Sequence, residues 1–185
     1  MRQMPTIGFK EWSLVCEALG RGRQSILVRK GGIAEGRDGF SFKHREFFLF
    51  PTWFHEQPDK VRTTDIAMPE EPADVVEIRY WVKVESVSVV TSWAVAELLE
   101  PLHILRSEVV RERFDYEEVP GIHVAFVRAY RTRPAWSLPT EKRFGGCRSW
   151  VDLPAPPSNI DVERVLSDAE HQSRRQQFLA ALQAS

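Results

Sequence analysis

The sequence is poor in cysteine and contains no long apolar run. Two cysteines are present among 185 residues, Cys16 and Cys147, and such low usage is typical of proteins from a reducing compartment. No apolar run approaches the ~20 residues of a membrane-spanning helix, and no charged-then-apolar leader opens the chain. We therefore expect a soluble, cytoplasmic protein with no membrane partner.

The short motifs of metal and cofactor sites are also missing. Neither the Cys-x-x-Cys nor the His-Glu-x-x-His spacing occurs, although metal sites usually contain at least one close ligand pair. In Val28-Arg29-Lys30-Gly31-Gly32, two glycines after a strand would let backbone N–H groups approach an anion. This segment matches neither the Walker nor the dinucleotide motif, and a simple turn explains it equally well. We predict no metal site and no cofactor.

An overall excess of one charge is absent, but the charges are unevenly distributed. The chain has 25 basic and 26 acidic residues in total. Residues 1–62 carry 11 basic against 7 acidic residues, residues 63–120 carry 5 against 13, and residues 121–185 carry 9 against 6. Two basic segments, 21–45 and 128–148, thus flank an acidic middle. If they meet in the fold, they form a positive patch suited to phosphates.

The most unusual segment that is present covers residues 43–55. Its apolar run, residues 47–50, is bordered on both sides by charged or ionisable residues. A buried strand that delivers polar groups at its ends is typical of a site wall. His44 and Glu46 are two residues apart, so we expect them on the same face of this strand.

Apolar spacing predicts the secondary structure. Residues 9–19 have helical spacing, with a strand as the competing interpretation. Residues 74–90 form the clearest strand, and its alternation changes phase at Glu85-Ser86, which indicates a bulge that bends the sheet. Residues 56–72 are predicted to form a surface loop. Further strands are predicted at 24–29, 40–42, 46–50 (ended by Pro51), 121–130, 136–139 and 146–153, and helices at 92–99 and 106–113.

This order of elements predicts the α+β class. We expect a single domain over residues 1–153, with a curved, mainly antiparallel, barrel-like sheet flanked by helices. A Pro-rich linker follows at residues 154–158. A C-terminal helix over residues 159–185 is then capped by Asn159 or Asp161.

Two arrangements suggest enzyme chemistry. A metal-dependent nuclease needs acids and a lysine at strand spacing, and Glu77-Ile78-Arg79 comes near but has arginine in the lysine position. Cys147 lies beside glycines and arginines that would expose it and lower its pKa, although a packed, structural cysteine is the favoured interpretation. Only the nuclease would need Mg²⁺ or Mn²⁺, and its candidate catalytic residues are His44, Glu46, His55 and Glu77.

Basic and aromatic residues suggest a binding surface instead. Arg128 falls in phase with the core-facing residues of strand 121–130, where an unpaired guanidinium costs several kcal/mol, so it needs a ligand phosphate or a carboxylate such as Glu46 or Glu77. Aromatic rings beside cations can stack on unpaired bases, each worth ~1–3 kcal/mol. The candidate nucleic-acid-binding residues are Arg29, Lys30, Gly31, Gly32, Lys43, Arg45, Thr52, Trp53, Arg128, Arg148 and Trp150.

Several sequence words between residues 10 and 153 carry a family resemblance. They are Lys10-Glu11-Trp12 through Ala18-Leu19, Gly22-Arg23-Gln24, Leu27 through Ile33, His44-Arg45-Glu46-Phe47 through Pro51-Thr52 with His55, and Gly146 through Val151. They resemble the prokaryotic family known as domain of unknown function 1802. That family has no assigned activity, and the resemblance implies at most an association with restriction-type nuclease domains.

The order of elements is similar to that of a second group of proteins. A bent strand, a helix pair and a further strand occur in this order in PUA and ASCH-like barrels, which bind RNA or modified bases. The Gly-x-Lys-x-x-Glu-x-Arg signature of ASCH domains is absent from this chain, so the resemblance concerns topology only.

Three functional hypotheses remain. The first is a non-catalytic domain that binds nucleic acid or another phosphate-bearing, nucleotide-like ligand. The alternative is a metal-dependent nuclease associated with restriction or DNA processing. The third is a structural adaptor, or a homodimer, that docks through the C-terminal helix.

Overall fold

The computed structural model describes residues 4–30, 41–63, 65–116 and 118–184. Seven strands and four α-helices lie in these ranges, joined by loops and three short 3₁₀ turns at Gln57–Lys60, Glu100–Leu102 and Lys142–Phe144. None of these helices combines the length and the apolar character needed to span a bilayer. In chain order the elements are β1 (Ile7–Trp12), α1 (Ser13–Gly20), β2 (Ile26–Arg29), β3 (Glu46–Thr52), β4 (Val75–Val90), α2 (Trp93–Leu98), α3 (Ser107–Phe114), β5 (Ile122–Pro139), β6 (Trp150–Asp152), β7 (Asp161–Arg164) and α4 (Asp168–Gln183).

The strands form one mostly antiparallel sheet. Their order is β2-β5-β4-β3-β1-β6. The strand β7 pairs with β5 at residues 130–133, after the part of β5 that pairs with β2. The pair β1–β3 is parallel, and the other described pairs are antiparallel. The predicted α+β class with a mainly antiparallel sheet is confirmed. The sheet is open, because β2 and β6 lie at opposite ends of the order.

The long strands β4 and β5 bend because their pairing contains two bulges. The register shifts between Val84 and Ser86, where the sequence predicts a phase change, and again between Ile78 and Tyr80. A bulge turns the following side chains to the other face. As a result Ile78 packs in one apolar cluster and Tyr80 in another, so one strand serves two cores.

The larger core contains side chains from α1, α2, α3 and α4 together with one face of the sheet. The smaller core lies on the other face, where Phe48, Trp81 and Trp136 pack together. β3 separates the two, since Phe47 and Leu49 belong to the larger core and Phe48 to the smaller one. This alternation is the normal consequence of a two-residue strand period.

The helix α4 packs on its own domain. Phe178 is fully buried and its ring stacks on Phe126 at 5.3 Å between centroids. The helix begins with a capping box in which Ser167 and Glu170 bond reciprocally to backbone N–H groups. A further contact joins His171 Nε2 to Glu85 Oε1 at 3.0 Å.

Two predicted helix starts are wrong. Residues 7–12 form β1 rather than the start of a helix, and the helix begins only at Ser13. Both faces of β1 are buried, so its apolar residues do not alternate and instead imitate helical spacing. Similarly, Asp161–Arg164 forms β7 against β5, and the last helix is capped by Ser167 rather than by Asn159 or Asp161.

Most strand and loop predictions hold, with the following corrections. Pro51 does not end the pairing, since it lies within β3 opposite Glu11 of β1. β3 pairs with β4 only up to Phe48, so it becomes an edge strand on that side, where proline is tolerated. Residues 121–130 and 136–139 belong to one continuous strand. The expected loop 56–72 contains a 3₁₀ turn and three buried residues, Gln57, Val61 and Ile66. The strand predicted at 40–42 is wrong over its described part, because residues 41 and 42 form no strand, while residue 40 lies outside the described residues. The strand predicted at 146–153 forms only over Trp150–Asp152.

Candidate functional site

The two ends of the open sheet approach each other at one place. Arg29, the last residue of β2, donates from Nη2 to Ser149 Oγ at 2.7 Å, just before β6. This bond joins residues 120 positions apart. It links β2 and β6 through side chains, since no backbone ladder among the described residues joins these two ends of the sheet. We call the surrounding residues the edge site, defined as Phe9, Glu11, Arg29, His44, Arg113, Ser149 and Trp150.

Aromatic rings form the base of the edge site. Trp150 contacts Phe9 at 4.8 Å, Phe47 at 5.0 Å and His44 at 4.8 Å between ring centroids. The guanidinium of Arg29 lies over the Phe9 ring at 5.1 Å, a favourable cation–π geometry. Trp150 Nε1 is buried and has no hydrogen-bond partner among the described residues, which is unusual for a buried donor.

Two charged residues, the buried Glu11 and the half-buried Arg113, belong to the edge site. Glu11 is 1% exposed and its carboxylate accepts from the backbone N–H of Trp12 at 2.9 Å. Arg113 of α3 donates to the carbonyl oxygen of Val28 at 2.6 Å and lies over the Trp12 ring at 4.8 Å. Burial lowers the pKa of Arg113 to about 10, and Glu11 opposes this shift while Arg29 adds to it. All three charges therefore lie close enough to interact, with one more positive than negative group.

Exposed cations lie beside the aromatic base. Lys43 and Arg45 flank His44 in the chain, and Arg148 precedes Trp150 by two residues; all three are exposed and form no ion pair with a described residue. Elsewhere, exposed arginines such as Arg133 are paired with carboxylates. The predicted patch from basic segments 21–45 and 128–148 is therefore formed in part, by Arg29, Lys43, Arg45 and Arg148.

The phosphate loop predicted at residues 28–32 is only partly described. Lys30 donates from Nζ to the carbonyl oxygen of Val119 at 3.0 Å. Gly31 and Gly32 lie outside the described residues.

Arg128 lies away from the edge site. It forms an ion pair with Asp168 of α4, so neither Glu46 nor Glu77 is its partner as predicted. On β5 the residue opposite Arg29 is His123, five positions from Arg128, which corresponds to about 17 Å along a strand. The actual partner, Asp168, is the first residue of α4. The sequence predicts one uninterrupted helix from residue 159, so it does not indicate that Asp168 lies at a helix start where it can reach Arg128.

Thr52 and Trp53 face a different region. Thr52 Oγ1 donates to the carbonyl oxygen of Glu11 at 3.1 Å, and Trp53 Nε1 donates to the carbonyl oxygen of Pro69 at 3.2 Å. Trp53 lines a pocket together with Glu77 and Arg79, where β3 and β4 diverge. Neither residue contributes to the edge site.

The four candidate catalytic residues do not converge. Glu46 lies opposite Lys83 of β4, whereas Glu77 lies six residues earlier on that strand, roughly 20 Å away, and is bonded to Arg79. His44 contacts Trp150, and His55 is exposed. The described residues contain no group of three His, Cys, Asp or Glu side chains that could hold a metal ion.

Cys147 is exposed, so the favoured interpretation of a packed cysteine is wrong. Cys16 is the buried cysteine. Burial raises the pKa of the Cys16 thiol well above its ordinary value, which keeps that thiol unreactive.

Sequence reasoning missed Glu11 and Arg113. A local signal existed for Glu11, because an acidic residue inside the apolar segment 7–16 needs a buried partner. Arg113 gave no such signal, since it lies at the polar end of a short helix and meets the site through a contact to Val28, 85 positions away.

The model of the family described as domain of unknown function (DUF1802) matches residues 8–177. The chain belongs to this family. No curated protein matches it. Among solved structures, ASCH from Zymomonas mobilis is similar at 12% identity with a TM-score of 0.41, covering 94% of this chain and 93% of that chain. A serine-to-alanine mutant of the same ASCH protein gives 13% identity and a TM-score of 0.44, covering 92% of this chain and 94% of that chain.

Proposed function

We propose that this DUF1802 protein is a non-catalytic binding domain that holds an unpaired nucleic-acid strand, or a nucleotide-like anion, at the edge site. One observation carries the proposal: the half-buried Trp150 and His44 rings contact each other, and the chain beside them carries exposed cations, Lys43, Arg45 and Arg148, that have no carboxylate partner among the described residues. Stacking rings and unneutralised cations are the two components of single-strand recognition. No cofactor is needed.

The two components make separate contributions to binding. A base stacked on the half-buried Trp150 ring is worth ~1–3 kcal/mol. Lys43, Arg45 and Arg148 would contact phosphates, which makes the affinity depend on salt. Arg29 would position the strand, because its bond to Ser149 fixes the guanidinium between the two sheet edges.

The nuclease alternative has no supporting arrangement among the described residues. Its candidate acids Glu46 and Glu77 lie at separate places on the sheet, and Glu77 is already paired with Arg79. The edge site contains an imidazole, His44, and one carboxylate, Glu11. That carboxylate is buried, where it accepts from the backbone N–H of Trp12 and interacts with Arg113.

The test is a fluorescence anisotropy titration with single-stranded RNA, single-stranded DNA and a polyglutamate control at several salt concentrations. Replacing Lys43 and Arg45 by glutamine should reduce the slope of log affinity against log salt by about 1.4, which is two contacts at ~0.7 each. Trp150→Leu, which keeps an apolar side chain but removes the stacking ring, should weaken binding about 5- to 150-fold, corresponding to ~1–3 kcal/mol.

The matched control is the double variant Arg133→Gln and Arg164→Gln. Both arginines are exposed and already paired with carboxylates, so this variant changes net charge equally without touching the edge site. Equal losses in the two double variants would show that binding reflects net charge alone and would overturn the proposal. Absence of salt-dependent binding to any of the nucleic acids would do the same.

A further inference from the structure

A second pocket lies near the opposite end of β2. Its lining comes from four separate parts of the chain: the turn after α1, the segment following the 3₁₀ turn at Gln57–Lys60, the 3₁₀ turn at Glu100–Leu102 with the two residues after it, and α4. Its volume is about 320 Å³, at the small end of the range for small-molecule sites. The lining residues are Arg23, Arg62, Thr63, Pro101, His103, Ile104 and Arg174, and we call this the arginine pocket.

Among the described residues, three guanidinium groups and no carboxylate line the arginine pocket. Like charges that converge in this way repel one another, so such a group is costly to build unless an anion compensates it. Each guanidinium has five N–H donors in a planar fork that matches the oxygens of phosphate. The composition of the lining therefore points to an oxyanion.

Arg62 is held rigidly in position. Its Nε donates to the carbonyl oxygen of Leu105 at 3.0 Å, and its Nη2 donates to the carbonyl oxygens of Glu100 and His103 at 2.6 and 2.5 Å. These bonds fix the plane of the guanidinium and leave Nη1 without a partner among the described residues. A donor whose orientation is fixed before binding loses little entropy when an anion arrives.

Arg174 and Arg23 are each held on one side only. Arg174 donates from Nη1 to the carbonyl oxygen of Pro101 at 3.1 Å, and Arg23 pairs through Nη2 with Asp65 at 2.5 Å. The remaining nitrogens of both side chains have no described partner. Asp65 and Glu100 neutralise part of the charge from outside the lining, but such exposed ion pairs are worth at most ~1 kcal/mol and do not prevent anion binding.

His103 adds a neutral donor to the lining. It is 4% exposed, and its Nδ1 accepts from the backbone N–H of Leu105 at 3.1 Å. Burial, with smaller contributions from Arg62 and Arg113, lowers the pKa of His103 to about 3, so the ring is neutral at pH 7. A neutral ring whose Nδ1 accepts carries its proton on Nε2, and no described residue accepts from that nitrogen.

We propose that the arginine pocket is a binding site for a phosphoryl group, held by Arg23, Arg62 and Arg174. It is separate from the edge site, because Arg23 precedes β2 and Arg29 ends it, about 20 Å apart at the rise of an extended chain. The phosphoryl group comes either from a free phosphorylated molecule or from a phosphate of a bound nucleic acid. The ligand chemistry is the same in both cases, and two arms of one experiment separate the sources.

The first arm is a calorimetric titration of the full chain with pyrophosphate. We expect saturable binding that weakens at least tenfold in Arg174→Gln and in Arg23→Gln. The matched control is Arg175→Gln, on the next residue of α4 and outside the lining, which should change the affinity less than twofold. Arg62 is left intact, since its removal would leave the carbonyl groups of Glu100, His103 and Leu105 without this donor and destabilise the fold.

The second arm repeats the titration with a single-stranded oligonucleotide. A loss of oligonucleotide affinity in Arg174→Gln but not in Arg175→Gln assigns the phosphoryl group to a nucleic acid, and an unchanged oligonucleotide affinity assigns it to a free molecule. Trp150→Leu should leave pyrophosphate binding unchanged in either case, which distinguishes this site from the edge site. Absence of saturable pyrophosphate binding, or equal losses in Arg174→Gln and Arg175→Gln, would overturn the proposal.

Discussion

The substitution Phe178→Ala measures whether α4 is part of the domain core or a detachable docking helix. Phe178 is 0% exposed and stacks on Phe126. Removing a fully buried phenylalanine ring costs ~3–5 kcal/mol through lost transfer energy and the cavity left behind. At an m-value of about 2.5 kcal/mol/M, expected for a domain of this size, a loss of 4 kcal/mol lowers the urea midpoint by about 1.6 M.

The assay is urea unfolding, followed in parallel by tryptophan fluorescence and far-UV circular dichroism. Leu179→Ala is the matched control, because it changes the next residue of the same helix at a side chain that is 37% exposed, and we expect it to cost less than ~1 kcal/mol. Coincident transitions for Phe178→Ala at the lower midpoint would place α4 within one cooperative unit. A cost below ~1 kcal/mol for Phe178→Ala would refute this reasoning and favour the hypothesis of an adaptor that docks through its C-terminal helix.

Two further predictions concern buried polar groups. The folded-state pKa of His103 is lowered to about 3. Below pH 6.5, His103 therefore gains a proton in the unfolded chain and stays neutral in the folded one. At 1.36 kcal/mol per pH unit, the free energy of unfolding should fall by about 2 kcal/mol between pH 6.5 and 5. His103→Asn keeps an acceptor for Leu105 and should remove this loss, measured by urea unfolding at both pH values; equal losses in both proteins would contradict the assignment. Tyr80→Phe removes the donor to Glu17 Oε1 at 3.0 Å and should cost ~1–3 kcal/mol, whereas Tyr130→Phe should cost little, and similar costs for the two would argue against a buried Tyr80–Glu17 bond.

The parts of the fold that sequence predicts well are those with one buried and one exposed face. β4 shows this, because the alternation of Val82 and Val84 with polar residues identifies the strand and its interruption identifies the bulge at Glu85. The period of two arises directly from backbone geometry, so neighbouring elements are not needed to recognise it.

The failures occur where burial on two faces removes the period. β1 packs Phe9 into the larger core, while Gly8 on the opposite face contacts Val151 of β6, so the spacing of its apolar residues carries no information about conformation. For β7 a local signal did exist, since Ser167-x-x-Glu170 is a capping box and marks the true start of α4. The apolar residues before it, Val162 and Val165, extend the helical pattern only by coincidence.

The edge site was predictable in composition but not in geometry. Residues 43–55 contribute His44 and the flanking cations, as the sequence indicates. Their partner Trp150 comes from a strand of only three residues, and Arg29 meets Ser149 across 120 positions. Local patterns contain no information on contacts of such separation, which depend on the strand order.

The same strand order explains why a binding site lies where the sheet fails to close. β2 and β6 do not pair with each other in the described sheet, and the side-chain bond from Arg29 to Ser149 joins these two ends instead. A backbone ladder there would engage the N–H and C=O groups of both strands, whereas a closure made by side chains places the Arg29 guanidinium and the half-buried Trp150 ring at the gap, where a ligand can meet them. The openness of the sheet and the chemistry of the edge site thus have one physical cause, and a ligand that binds there should also raise the unfolding midpoint by stabilising the gap between β2 and β6.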